Sequence, residues 1–131
     1  SYSDRKTAAM VGHYKSTVSE QLHPYIRPQE TGNKTDMRWL RLSRADGRGF
    51  LISGPQLLNF SALHYHRDDL DSGPSKKQEH SGELTERNST FLNIDLVQMG
   101  VGGNDSWGAL PLEKYRLPYQ SYRYEFWLIP E

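Results

Sequence analysis

Wherever this chain carries a clear hydrophobic pattern, the pattern mostly has a period of two. Ser121 to Ile129 is the plainest case. Tyr122, Tyr124, Phe126 and Leu128 fall on one side, and Arg123, Glu125, Trp127 and Ile129 on the other, as in a strand with two unlike faces. Met37 to Ser43 alternates as well, with Met37, Trp39 and Arg41 set against Arg38, Leu40 and Leu42. Asp46-Gly47 follows and leads into Gly49-Phe50-Leu51-Ile52, which predicts a hairpin. Leu57 to His66 reads as a further strand, and Thr90 to Gln98 as another with Leu92, Ile94 and Leu96 on one face.

Helical spacing is rarer. Met10, Tyr14, Val18 and Leu22 within Ala8 to Leu22 fit one helical face, although Gly12, Ser16, Thr17 and Ser19 are poor helix formers. Pro24 and Pro28 impose an extended stretch through Tyr25-Ile26-Arg27, and Thr31-Gly32-Asn33 signals a turn. Asp68 to Asp71 fits one helical turn. Ser72 to Glu86, polar and charged around Gly73-Pro74, reads as a mobile surface loop. The sum is an all-β chain, an antiparallel β-sandwich.

Composition supports that sum. The chain has 131 residues, the length of one domain, with eight Tyr, three Trp, four Phe, eleven Gly and seven Pro. Such a mixture favours short strands joined by turns. Lys and Arg number 16, as do Asp and Glu, so no charge imbalance points to nucleic acid or to a membrane surface. No apolar run approaches the roughly 20 residues of a membrane-spanning helix. Cysteine is absent, which excludes a disulfide framework, a zinc-thiolate site and a thiol nucleophile within the chain.

The chemistry concentrates in Met99-Gly100-Val101-Gly102-Gly103-Asn104-Asp105-Ser106-Trp107. A strand of buried type, Phe91 to Val97, runs into a glycine-rich loop that ends on an indole. Gly102, Gly103, Asn104 and Asp105 are expected to shape this loop, through backbone freedom and side-chain to backbone hydrogen bonds. Trp107 then offers a flat ring suited to the apolar face of a sugar, with a core or subunit-contact tryptophan as the competing role.

Other clusters carry less. His64 and His66 lie two apart, beside Asp68, Asp69 and Asp71, a spacing that could converge on a metal. The same residues read more simply as a polar strand end and a solvated helical turn, and no metal site is assigned. Glu20, Glu30, Glu79, Glu83, Glu86, Glu113 and Glu125 form no persuasive acid/base pair, although Glu30 sits in a motif where it could brace a turn. No nucleophile motif surrounds Ser61, Ser81 or Ser106. No catalytic residue is therefore assigned to this chain.

Several short motifs occur in order: Tyr2-Ser3-Asp4-Arg5, Pro24-Tyr25-Ile26-Arg27-Pro28-Gln29-Glu30, Gly32-Asn33, Arg38-Trp39, Phe60-Ser61-Ala62, Leu92-Asn93-Ile94-Asp95 and the glycine loop to Trp107. Together they closely resemble the C-terminal domain of the large bacterial β-galactosidases of glycoside hydrolase family 2. The likeness runs from Tyr2 almost to the end of the chain. It implies that residues 1–131 are the C-terminal half of a large supersandwich domain, similar in fold to galactose mutarotases. It also implies a parent enzyme whose barrel carries the two glutamates of retaining hydrolysis. The partners so implied are a galactoside, the catalytic barrel of the same polypeptide and further copies in a homo-oligomer, in a bacterial cytoplasm or periplasm. No cofactor is expected in this chain, because the family's magnesium and sodium ions are bound elsewhere. The resemblance gives Trp107 the role of packing against the bound sugar.

Two other readings stay open at this stage. A stand-alone carbohydrate-binding module would use Trp107 unaided. A mutarotase-like enzyme would need acid/base groups converging on a sugar, for which His64, His66 and Glu30 are the candidates. On the β-galactosidase reading, the isolated chain has no glycosidase activity of its own.

Overall fold

Residues 2–24, 31–71, 73–74, 80–103, 105 and 107–131 are described by a computed structural model of the chain. Its central feature is a hairpin. Strand β1, Lys34–Ser43, turns at Arg44–Arg48 into β2, Gly49–Leu63. The Gly47 N–H donates to the Arg44 carbonyl at 3.0 Å, and the Arg44 N–H to the Arg48 carbonyl at 2.9 Å. Gly47 adopts φ 86°, the left-handed residue that lets a turn of this length match the twist of its strands. The Asp46 carboxylate accepts the Arg48 N–H at 3.1 Å and braces the turn. The hairpin expected at Asp46-Gly47 is thus present, with a longer connection than a two-residue turn.

β2 replaces the two strands expected over 49–52 and 57–66. It is a single strand of 15 residues that passes straight through Gly54-Pro55, and it stops at Leu63. Two further strands join it: β3, Phe91–Asp95, and β4, Trp127–Pro130. The four strands form one sheet in the order β1-β2-β3, with β4 also paired to β2. The β2–β4 pairing is antiparallel and sets Phe50 opposite Pro130 and Ser53 opposite Trp127. The chain is all-β with little helix, in keeping with an antiparallel sandwich.

The ladder between β2 and β4 stops for a chemical reason. Continued in register, it would set Pro55 opposite Glu125, and proline has no N–H to donate. The Gln56 side-chain amide supplies the missing donor, reaching the Glu125 carbonyl at 2.7 Å. Ser121 to Phe126 therefore form no strand, and the strand expected over 121–129 is reduced to its last residues. The alternation there has no cover on either side. Tyr122 (45% exposed) and Phe126 (41%) are as open as Trp127 (52%) and Ile129 (45%).

The helix expected over Ala8 to Leu22 is absent. Two short 3₁₀ turns, Lys6–Ala9 and Ser19–Gln21, occupy its ends. Met10 and Tyr14 are exposed while Val18 and Leu22 are half-buried, so the spaced apolar residues gain too little burial to offset the weak helix propensity between them. The strand expected over 90–98 is shorter than its pattern, because the chain bends at Leu96 and the Gln98 amide turns back to the Asp95 carboxylate at 3.2 Å. The helical turn expected at Asp68 to Asp71 is α1, Arg67–Leu70. The Tyr25-Ile26-Arg27 stretch, Glu30 and part of the 72–86 loop lie outside the described residues; within that loop, Ser81–Glu83 form a 3₁₀ turn.

The chain divides into two compact units. One comprises Ser1–Met10, Lys34–Asn59 and Ile94–Glu131, and the other Val11–Asn33 and Phe60–Asn93. Met37, Ile52 and Leu58 are the buried hydrophobic residues of the first. Asp36 there takes φ 56° and gives its N–H to the buried Asn59 side chain at 3.1 Å, a left-handed kink that an Asp tolerates better than most residues. The core of the second unit is Leu63, Tyr65 and Leu70, with Leu22 and Leu84 packed against it. No helix among the described residues is long and apolar enough to cross a membrane.

Candidate functional site

The site is built entirely within the first unit. After β3 the chain reaches Gly100, whose N–H donates to the Tyr115 carbonyl at 2.9 Å. Gly100 is held tightly from the other side as well. A Cβ at this position would lie 2.8 Å from the Asp4 carboxylate and 3.0 Å from the Tyr115 side chain. The Asp4 carboxylate thus occupies space that only a glycine leaves open.

Two residues further on, Gly102 takes φ 63° and Gly103 φ 86°. Both polar groups of Gly102 are bonded. Its N–H donates to Asp4 Oδ2 at 2.8 Å, and its carbonyl accepts from Arg5 Nη2 at 2.7 Å. A Cβ on Gly102 would come within 3.0 Å of the Ala109 carbonyl, so position 102 is closed to a side chain by shape as well as by φ.

The Asp4 side chain is only 7% exposed, and the exposed Arg5 guanidinium lies 3.7 Å from it. Burial alone would push the Asp4 carboxyl up. The N–H groups of Gly102 and Val101, together with the Arg5 charge, outweigh that and hold it below its ordinary value. In its ionised form the Asp4 carboxylate is an acceptor only, which matches the N–H groups it faces.

The loop then turns on Asp105. Its Oδ1 accepts the Trp107 N–H at 2.8 Å and the Ala109 N–H at 3.2 Å, the self-bonded turn that aspartate favours. Trp107 stands 93% exposed at the end of this construction. On the far side, Arg116 Nε donates to the Pro111 carbonyl at 2.7 Å. Of the residues expected to shape the loop, Gly102, Gly103 and Asp105 sit as described, and Asn104 lies outside the described residues. The sequence marks Asp4 and Arg5 only as part of the Tyr2-Ser3-Asp4-Arg5 motif and assigns them no role at the loop, because their partner is 98 or 97 positions away.

The other candidate groups disperse. His66 caps α1: its Nδ1 accepts the Asp68 N–H at 3.3 Å. His64 turns instead to the Ser89 carbonyl, 3.0 Å from its Nδ1. Asp69 is taken by Arg87 and by the His66 N–H, and Asp71 by the Gly73 N–H. Among the described residues no group of three or more His, Cys, Asp or Glu side chains is placed to hold a metal. A cavity of about 320 Å³ lies beside Tyr65, His66, Arg67, Phe91 and Leu92 in the second unit, and no carboxylate lines it. Glu20 is bonded to Thr17, Glu86 to Ser19 and Glu131 to Arg41, so these carboxylates serve local structure.

Comparison with known proteins settles the family. The family model described as the beta galactosidase small chain matches residues 1–128. The chain belongs to this family. A β-galactosidase of Priestia megaterium is 42% identical over 130 residues, covering 98% of this chain and 12% of the relative. One from Lactobacillus delbrueckii subsp. bulgaricus is 38% identical over 124 residues, covering 94% of this chain and 12% of the relative. One from Vibrio cholerae is 35% identical over 127 residues, covering 97% and 11%. The small-chain segment thus spans 11–12% of the length of these curated relatives.

Proposed function

We propose that this small-chain segment works as part of a longer β-galactosidase polypeptide, to which it contributes the Trp107 loop as a stacking platform for a galactoside. The observation that carries the reading is an indole 93% exposed at the end of a loop bonded on both sides of Gly102 and again at Asp105. Exposure alone does not single it out, since Trp39 and Trp127 are also open; what does is the combination of near-complete exposure with the bonded glycine loop that carries it. A galactose ring presents C–H bonds on one face and hydroxyls at its edge, which suits an indole face with one N–H at its rim.

Hydrolysis on this reading belongs to carboxylates elsewhere in the polypeptide. A retaining glycosidase needs two carboxyl groups about 5–5.5 Å apart on rigid supports. Here Glu20, Glu86 and Glu131 are each engaged with a neighbouring Thr, Ser or Arg. The segment would bind and orient the sugar and exclude water from one of its faces, with no cofactor of its own.

The test is steady-state hydrolysis of a nitrophenyl galactoside by the complete polypeptide carrying Trp107→Ala. The expected result is a kcat/KM lowered about tenfold, equivalent to about 1.4 kcal/mol of lost sugar contact, with Trp107→Phe recovering part of it. An unchanged kcat/KM would refute the reading. Saturable galactose binding by the isolated chain, lost in Trp107→Ala, would favour a self-sufficient carbohydrate-binding module instead.

A further inference from the structure

We infer that Asp4 and Arg5 are positioning residues for Trp107: together they fix the Gly102 peptide groups from which the sugar-facing loop is hung. The inference rests on the proposed stacking role of Trp107 and adds to it the residues that hold the indole in place.

The need for such a clamp follows from the loop itself. Gly102 and Gly103 are consecutive residues with positive φ, and glycine has the widest backbone freedom of any residue. A loop hinged on this pair would sample many orientations of the residues beyond it, and ordering it would oppose sugar binding. Asp4 and Arg5 remove that freedom at the first of the two glycines. One takes the Gly102 N–H at 2.8 Å, and the other donates to the Gly102 carbonyl at 2.7 Å. With its donor and its acceptor both engaged, Gly102 cannot rotate without breaking a charge-assisted hydrogen bond.

The packing is specific to this purpose. The Asp4 carboxylate is buried in a recess that exists because residue 100 is glycine. Arg5 stays exposed and reaches over to the carbonyl. Five residues past Gly102, the Asp105 turn fixes the Trp107 N–H. Hydrogen bonds from the Asp4-Arg5 segment thus hold Gly102, and Asp105 holds the backbone N–H of the indole-bearing residue. The loss of backbone freedom then occurs on folding, and the platform meets the sugar already formed.

The experiment uses the complete polypeptide with Asp4→Ala, Arg5→Ala and Trp107→Ala, each alone, and with Trp107→Ala combined with each of the other two. KM and kcat for a nitrophenyl galactoside are measured with the thermal unfolding midpoint. The expected result is a KM raised several-fold by Asp4→Ala and by Arg5→Ala, with kcat close to that of the parent. In the Trp107→Ala background neither change should raise KM further, since the group they position is gone. Arg5 is exposed, so Arg5→Ala decides the matter if Asp4→Ala does not fold.

If Trp107→Ala raises KM and the Asp4 and Arg5 variants do not, the clamp is wrong and the stacking role stands. If the Asp4 and Arg5 effects persist in full without Trp107, these residues act elsewhere and the inference is overturned. If Trp107→Ala leaves the kinetics unchanged, the stacking reading itself fails.

Discussion

Arg87 closes on Asp69 from 18 positions away, with its Nε 2.7 Å from Oδ2 and its Nη2 2.5 Å from Oδ1. The same carboxylate accepts the His66 N–H at 2.7 Å and so completes the cap of α1. One side chain thereby joins the helical turn to the segment that leads into β3.

This arrangement has a pH signature. The Arg87 hydrogen bonds hold the Asp69 carboxyl below its ordinary value against the opposing pull of burial, helped by the His66 N–H and the Arg87 charge. A depressed carboxyl stabilises the folded state fully above the unfolded value of about 3.9, and that contribution is lost as pH falls through the folded value. Urea unfolding of the chain from pH 7 to pH 2 is expected to show stability falling below about pH 4. Asp69→Asn should be less stable at pH 7 and should show a shallower fall in acid.

Ile52 is fully buried in the first unit. Ile52→Ala removes its methyl groups and leaves a void that the surrounding strand can only partly close. The expected cost is about 2–5 kcal/mol in urea unfolding. Substitution of the exposed Leu110 by Ala should stay within about 0.5 kcal/mol of the parent.

Gly100 and Gly102 separate loop geometry from global stability. Gly100→Ala would press a methyl against the Asp4 carboxylate, and Gly102→Ala would force a side chain into left-handed backbone against the Ala109 carbonyl. Each is expected to weaken galactoside hydrolysis by the complete polypeptide. Gly47→Ala shares the positive φ but meets nothing nearby; it should destabilise by about 1 kcal/mol and leave the KM as it was.

The apolar residues of β4 and its approach lie open in this chain. Trp127, Leu128 and Ile129 are all exposed on a short strand paired to β2. Purified alone, the chain is expected to self-associate in sedimentation measurements at micromolar concentration. Trp127→Ser with Ile129→Ser should reduce that association without abolishing the folded state.

What could be read in advance was local. Asp46-Gly47 marks the hairpin and Asp68-Asp69 the start of a helical turn, because each signal lies within the element it forms. β2 joins the two separate strand patterns at 49–52 and 57–66 across Gly54-Pro55, and the Gln56 amide, standing in for the absent Pro55 N–H, has no signature in the alternation. Ser121 to Phe126 carry the pattern of a strand without the cover that would make it one. At the site, the glycines, Asp105 and Trp107 stood out by composition. Asp4 and Arg5 were visible only as part of the Tyr2-Ser3-Asp4-Arg5 motif, since the peptide they hold lies at the other end of the sequence.

That separation also sets an order of events. The bonds from Asp4 and Arg5 to Gly102 span 98 and 97 positions, among the longest closures the chain can make. Contacts of such range form late, after shorter-range structure has drawn the two segments together. During synthesis, the hairpin and α1 can assemble while the rest is still emerging, but the tryptophan's mount must wait for nearly the whole segment. A nascent or truncated product would thus acquire its β1–β2 hairpin before it acquired the bonds from Asp4 and Arg5 to Gly102.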